Sequence, residues 1–300
     1  MLPGVLAWST ILLMFLLSWL VPVWVAIFII LFDIYWLLKT VYLSFHLRAT
    51  FKKMRENLKI NWLEKLKSLV NGQWSNVYHL VILPMHKEPY EVVKETFESL
   101  TKANYPKDKF IVVLATEERA GESAQMVAEK IQEEFGDKFF KFLITTHPSN
   151  LPGEIPGKGS NQTWAAKEIK KLVIDPLKIP YENILVSVFD VDTQVLPEYF
   201  GILTYNFLTC ERPERSSFQP IPFFTNNIFQ APSLARIIAF SSTFWHMIQQ
   251  SRPERQTTFS SHSMPFKAVV DIGFWNTNIV SEDSRIFWQC YLYYNGDWRV

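Results

Sequence analysis

The chain has 300 residues, a formal net charge of +1, 48% hydrophobic residues and 20% charged residues. That composition supplies a sizeable core and excludes a disordered chain, and the near-neutral charge gives no general reason to bind nucleic acid. Two distant cysteines, Cys210 and Cys290, form neither a disulfide framework nor a metal-ligand pattern, which suits a reducing compartment.

From Leu2 to Leu47 the only side chains charged at neutral pH are Asp33 and Lys39. A helix needs about 20 apolar residues to cross a bilayer core, so this stretch is long enough to cross twice. Pro22 is the natural break, which predicts a transmembrane helical hairpin over 5–20 and 23–45 within residues 1–47. Trp8, Trp19, Trp24, Tyr35, Trp36 and Tyr42 supply interfacial anchors. A single long tilted helix stays open, because no polar turn marks the break. A cleaved signal peptide fits poorly, since a basic start and a small-residue cleavage site are both missing.

Arg48, Lys52, Lys53, Arg55, Lys59, Lys65 and Lys67 follow, against Glu56 and Glu64. This cationic excess predicts a multi-pass protein of the inner or plasma membrane, with everything after residue 47 in the cytoplasm. Phe51, Met54, Leu58, Trp62, Leu66 and Leu69 recur at helical spacing among the cations. Residues 48–76 therefore read either as a basic amphipathic segment on anionic lipid or as an ordinary helix packed on the soluble domain.

Past residue 77 the pattern changes. β-branched and aromatic runs at 77–83, 110–115, 139–145 and 184–189 alternate with amphipathic stretches at 91–103, 123–135 and 161–172. The alternation predicts an α/β fold with a doubly wound, mostly parallel sheet. Such sheets bind ligands beyond the carboxyl ends of their strands. The chemistry-bearing residues fall there. Pro84-Met85-His86-Lys87-Glu88-Pro89 follows the first run, Thr116-Glu117-Glu118-Arg119 the second, a Pro/Gly-rich loop over 147–158 the third, and Asp190-Val191-Asp192-Thr193 the fourth.

Asp190 and Asp192 are the most informative pair. On an extended backbone, positions i and i+2 point to one side. Two hard oxygen donors there suit Mg²⁺ or Mn²⁺, which also takes oxygens from a diphosphate. A pair of solvated turn aspartates is the plain alternative. Gly157-Lys158-Gly159 opens the next predicted helix, where a lysine and free amides favour phosphate. A surface loop lysine is the alternative there. Glu282 and Asp283 stand at another helix start, where the macrodipole alone would suit them. The stretch 233–250 reads as an amphipathic helix, with a buried core position favoured over membrane contact or an acceptor path.

Taken in order, these stretches resemble the family 2 glycosyltransferases, the GT-A-fold group that includes the membrane-integrated cellulose and hyaluronan synthases. The matching stretches are 81–88, 112–118, 157–161, 189–193, 261–275 and 281–283, so the resemblance covers about residues 77–300. It implies that Pro84 and Glu88 border the base and ribose, that Glu117 contacts the nucleoside, and that Lys158 lies near the diphosphate. Asp190 and Asp192 match the DxD motif, with Asp192 the direct metal ligand. Asp283, beside Glu282, matches the general base, and His262 and Phe266 lie in the acceptor-lining loop. The implied reaction is inverting transfer of a sugar from a nucleotide-diphosphate donor, UDP-linked by resemblance, to a hydroxyl of a glycan or lipid-linked acceptor, with Mg²⁺ or Mn²⁺.

The chain departs from the family in three places. Thr116-Glu117-Glu118 stands where paired aspartates are usual, no QxxRW follows Asp283, and further membrane helices do not follow. The expectation is a fragment or natural truncation of the GT-A domain. Two other functions compete. A nucleotidyltransferase is disfavoured by the lack of glycine in 84–89. A non-catalytic membrane scaffold that binds a nucleotide sugar stays open.

Overall fold

The structure is a computed structural model, and it describes residues 2–69 and 72–300. In chain order its helices are α1 (Leu2–Leu20), α2 (Pro22–Asn57), α3 (Trp62–Lys67), α4 (Tyr90–Lys102), α5 (Glu122–Phe135), α6 (Lys158–Ile169), α7 (Tyr199–Thr209), α8 (Ser233–Gln250), α9 (Phe266–Asp271) and α10 (Glu282–Tyr293).

The apolar start is two helices rather than one rod. Pro22 takes the first position of α2. There its missing N–H costs no hydrogen bond, whereas its ring could not continue α1. Both helices are long and apolar enough to cross a membrane. The side chains of α1 are exposed along its whole length. Helix α2 runs past residue 45, through Arg48, Lys52, Lys53 and Arg55, because no Gly or Pro interrupts it before Asn57.

The described part of 48–76 thus holds the end of α2, the separate short helix α3 and a 3-10 turn at Gln73–Asn76. Asn61 caps α3 by accepting from the Glu64 amide at 3.1 Å. Trp62 and Leu66 are buried on the soluble domain rather than turned toward lipid. They reach α7 at Gly201, where an added Cβ would lie 2.8 Å from the Trp62 Cβ.

The domain is built on a five-stranded sheet of order β3-β2-β1-β4-β5. Strands β1 (Tyr78–Pro84), β2 (Phe110–Glu117), β3 (Lys141–His147) and β4 (Ile184–Val188) are parallel, and β5 (Ser263–Pro265) runs antiparallel at the edge. Successive strand residues go to opposite faces, and both faces are covered. Val81, Leu83 and Phe110 pack with Phe97 and Phe200 on one side, while Leu80, Ile82 and Val113 pack with Ile169 and Ile286 on the other. Double coverage is why these strands read as continuous apolar runs. Strand β1 pairs with β2 on one side and β4 on the other. The order therefore reverses beside β1, and a ligand crevice belongs at the carboxyl ends of β1 and β4.

Helix α8 is not the core helix the periodicity favoured. Only Thr243 and Met247 are buried. Leu234, Ile237, Ile238, Phe244 and Trp245 are exposed, and the helix packs beside α2. Helical periodicity says that one face is apolar, not what covers it.

Candidate active site

The first-strand turn is held from within. Glu88 folds back, so that its Oε2 accepts from the His86 amide at 2.7 Å. Glu117, buried at the end of β2, accepts from the Arg119 guanidinium at 3.1 Å and stands 3.7 Å from His86 Nδ1. The next acid, Glu118, accepts from the Ser149 amide, which lowers its pKa.

Strand β4 ends at Val188, and the backbone beyond it is not extended. Asp190 to Thr193 form a turn closed by the Thr193 amide donating to the Asp190 carbonyl at 2.9 Å. The pleat argument for Asp190 and Asp192 therefore does not apply. Asp190 is half-buried, while Asp192 stands exposed at the cleft rim.

Lys158, in the first turn of α6, joins three elements. Its Nζ lies 2.8 Å from Asp190 Oδ1 and 2.9 Å from Asp283 Oδ2, at the start of α10. Ser260 donates to Asp190 Oδ2 at 2.5 Å and stands 3.4 Å from the lysine. Gly159 lets the two helix starts approach. A Cβ there would lie 3.2 Å from the Asn276 carbonyl and from Glu282 Cβ and Cγ. Between Ser260 and His262, Ser261 adopts φ 64°, a left-handed conformation that costs a non-glycine residue about 1–3 kcal/mol.

The electrostatics separate the acids. Burial pushes Asp190 up, but the Lys158 charge and the hydrogen bonds from Lys158 and Ser260 outweigh it, and its pKa falls below the ordinary carboxylate value. Burial likewise works against the Lys158 ammonium, and Asp283 and Asp190 more than offset it. Asp192 moves the other way, raised by desolvation and by the charges of Asp190 and Glu88. Desolvation and the adjacent Asp283 push Glu282 up to about 7. Asp283 Oδ1 has no hydrogen-bond partner among the described residues. It lies 3.6 Å from His262 Nδ1, which is 3.0 Å from the Phe259 carbonyl. Burial lowers the His262 pKa, so the ring is neutral and Nδ1–H donates to Phe259.

The fold thus gathers Asp190, Lys158, Asp283, Glu282 and His262, with Asp192 and Glu88 at the rim. It does not bring Phe266 to the cleft. That ring is fully buried at the start of α9, edge-on to Tyr181 with centroids 5.6 Å apart. Ser260 and Asn226 escaped the sequence reading, and Arg119 entered it only within the 116–119 stretch, with no role of its own. The Asn226 side chain donates to the Asp192 carbonyl at 2.7 Å. Only Arg119 had a local signal, its spacing of two from Glu117. The others lie tens of residues from the acids they hold.

Among the described residues, no group of three or more His, Cys, Asp or Glu is arranged to hold a metal ion. The donor chemistry nonetheless fits a divalent cation. Asp190 and Asp192 offer hard carboxylate oxygens, the mutual repulsion that raises Asp192 would be relieved by positive charge, and Mg²⁺ or Mn²⁺ commonly completes its shell with phosphate oxygens.

Neither a family model nor a curated protein sequence matches the chain. The structure does match solved proteins, and its fold is similar to that of a solved glycosyltransferase. It is similar to the mannosyltransferase PcManGT from Pyrobaculum calidifontis, solved in complex with GDP-Man and Mn²⁺. The TM-score is 0.51 at 14% identity, over 86% of this chain and 64% of that one. The chain therefore spans less than two thirds of that protein's length, and at this identity the likeness shows the fold alone. Looser likenesses to S. aureus TarS in complex with UDP-GlcNAc (TM-score 0.45, 16% identity, 72% of this chain and 54% of that one) and with UDP (0.44, 15%, 72% and 56%) carry no argument of their own.

Proposed function

We propose that the chain transfers a sugar, with inversion, from a nucleoside diphosphate donor to a hydroxyl of a glycan or lipid-linked acceptor. One observation carries this reading: Lys158 is clamped between Asp190 and Asp283, at 2.8 and 2.9 Å. The clamp joins a phosphate-seeking cation at a helix start, the first acid of the DxD stretch and the acid of the base motif.

The chemistry follows from these residues. Lys158 and the α6 amides attract the diphosphate. Glu88, Glu117 and Pro84 border the nucleoside. Asp190 and Asp192 would hold a Mg²⁺ or Mn²⁺ ion, which when bound neutralises charge on the leaving diphosphate. A diphosphate that draws Lys158 toward itself frees Asp283 from its counter-ion. Asp283 then takes the proton of the acceptor hydroxyl as that oxygen bonds to the anomeric carbon, and the bond to the diphosphate breaks with its electron pair leaving on the nucleotide. A single displacement inverts the anomeric centre. Glu282, raised to about 7 by desolvation and by the charge of the neighbouring Asp283, stands beside this base at the start of α10. Neutral His262 lines the acceptor side without adding charge.

In this reading α1 and α2 cross the inner or plasma membrane, and the cations from Arg48 onward keep the catalytic domain cytoplasmic. Calorimetric titration of the purified full chain against a panel of nucleotide sugars, with and without Mn²⁺, tests the function. Metal-dependent binding of at least one donor is expected. Heat-silent titrations across the whole panel would overturn it.

A further inference from the structure

Between the cytoplasmic end of α2 and α8 lies a cavity of about 550 Å³ that the catalytic reading does not use. Its walls include Phe51 and Met54 of α2, Phe223 and Phe224 of the preceding loop, and Ala239 of α8, with Arg48 as the one charged side chain in its lining. A shallower groove shares Phe51 and carries Lys52, Arg55 and Lys59, with Glu56 among them. An apolar cavity of this size suits a small ligand. Water is a poor occupant, because it would meet few polar partners.

Two further facts say what belongs there. The cavity adjoins exposed apolar surface. It sits on the helix that is long and apolar enough to span a membrane, beside the exposed Ile237, Ile238 and Trp245 of α8. It also abuts the active site. The wall residue Thr225 precedes Asn226, which holds the Asp192 carbonyl at 2.7 Å. At the other end of α8, Gln250 donates to the Gln219 carbonyl at 2.6 Å, and the Gln219 amide donates to the Ser260 carbonyl at 3.1 Å. Ser260 in turn holds Asp190. A ligand with its tail in the cavity lies between bilayer and cleft.

We infer that this cavity seats the hydrocarbon tail of a lipid-linked acceptor, with an anionic phosphate linkage at Arg48 and the acceptor hydroxyl carried toward Asp283. The role of the occupant rests on the glycosyl-transfer reading; its binding does not. Arg is suited to the linkage because its planar fork matches phosphate oxygens, and α2 supplies further cations beside it. Cavity burial of the chain gives affinity, and the phosphate fixes the depth at which the head emerges.

The test uses the full chain in lipid nanodiscs and a long-chain alkyl monophosphate carrying a diazirine on its tail. Labelling is expected within residues 47–54 and 239–247. Unlabelled long-chain alkyl phosphate should displace the probe, and butyl phosphate should not. Ala239→Trp, which fills the cavity, should cut labelling about tenfold, equivalent to ~1.4 kcal/mol, while nucleotide-sugar binding by calorimetry stays intact. Arg48→Gln should weaken labelling by the phosphate probe and leave a neutral alkyl alcohol probe unchanged. Label spread evenly along α1 and the outer face of α8, or equal displacement by phosphatidylcholine, would mean bulk lipid and overturn the site. Indifference to Arg48→Gln would remove the phosphate. If Ala239→Trp loses donor binding, chain-length competition on the wild type decides. Specific labelling of a protein that binds no nucleotide sugar would sink the transferase reading and leave the lipid site standing.

Discussion

Two regions of this molecule concentrate opposite kinds of surface. At the carboxyl edge of the sheet, carboxylates gather about Lys158, which pairs with Asp190 and Asp283, and desolvation together with the neighbouring acids raises Asp192 and Glu282. Along α1, α2 and α8, leucines, isoleucines, phenylalanines and tryptophans stand exposed. Both are unfavourable in water alone, the first because desolvated like charges repel and the second because contiguous apolar surface orders water. The β1, β2 and β4 strands are as apolar as the helices, yet they are buried to the last side chain apart from the rims. Apolar content therefore does not distinguish a core from an exposed surface. What distinguishes them is whether a neighbouring element of the same chain covers the face.

Substitutions can break this contrast region by region. The largest effect should come from the charged edge. On the proposed mechanism Asp283→Asn removes the proton acceptor and should lower kcat by roughly 10²–10⁴ with donor affinity preserved. Turnover at the wild-type rate would refute the role. Asp192→Ala should next weaken Mn²⁺-dependent nucleotide binding about tenfold or more, read by calorimetry with and without the metal. If the affinity gained from Mn²⁺ is unchanged in this variant, Asp192 is no ligand.

The buried interior supplies the third and fourth tests. His79 is fully buried, and desolvation holds its pKa at about 3, below the ordinary 6.5. The unfolded chain takes up this proton as pH falls through 6.5, and the folded chain does not until about 3. Stability is therefore fully present above 6.5 and lost as pH falls toward 3. The loss amounts to several kcal/mol, because each tenfold difference in proton affinity between the folded and unfolded chain is worth ~1.4 kcal/mol. Urea titrations from pH 7 to 4 should show this loss, and His79→Gln should flatten it. Gly201→Ala drives a methyl against Trp62 and should destabilise the α3–α7 contact by about 1–3 kcal/mol, seen as a lower Tm. The smallest effect on folding belongs to the apolar surface. Ile237→Asp on exposed α8 should change stability by within about 0.5 kcal/mol while reducing photolabelling of α8 by a lipid-borne probe in nanodiscs. Equal labelling of α8 would mean that it does not face lipid.

Much of the fold was legible because it is local. The long apolar stretch, the break at Pro22 and the alternation of strands with helices all follow from backbone sterics and hydrophobic period. So did the chemistry at the strand ends, since residues just past a parallel strand must face the crevice. The misjudged positions share one cause. Phe266 was placed by resemblance and the 233–250 helix by period, and neither says which partner an apolar side chain meets. Ser260 and Asn226 were invisible because nothing local marks a hydroxyl or an amide that will sit beside an acid tens of residues away.

By itself the sequence determined which segments are helix and strand, where the membrane-compatible hairpin bends, and which acids and which lysine stand at strand and helix ends. Only the tertiary structure decided that Lys158 falls between Asp190 and Asp283, that Asp192 is left exposed, and that α8 lies along α2 instead of inside the domain. The reason is physical. Propensity and periodicity act over a few residues, whereas meetings between residues 158, 190, 260 and 283 are set when the sheet closes and buries both of its faces.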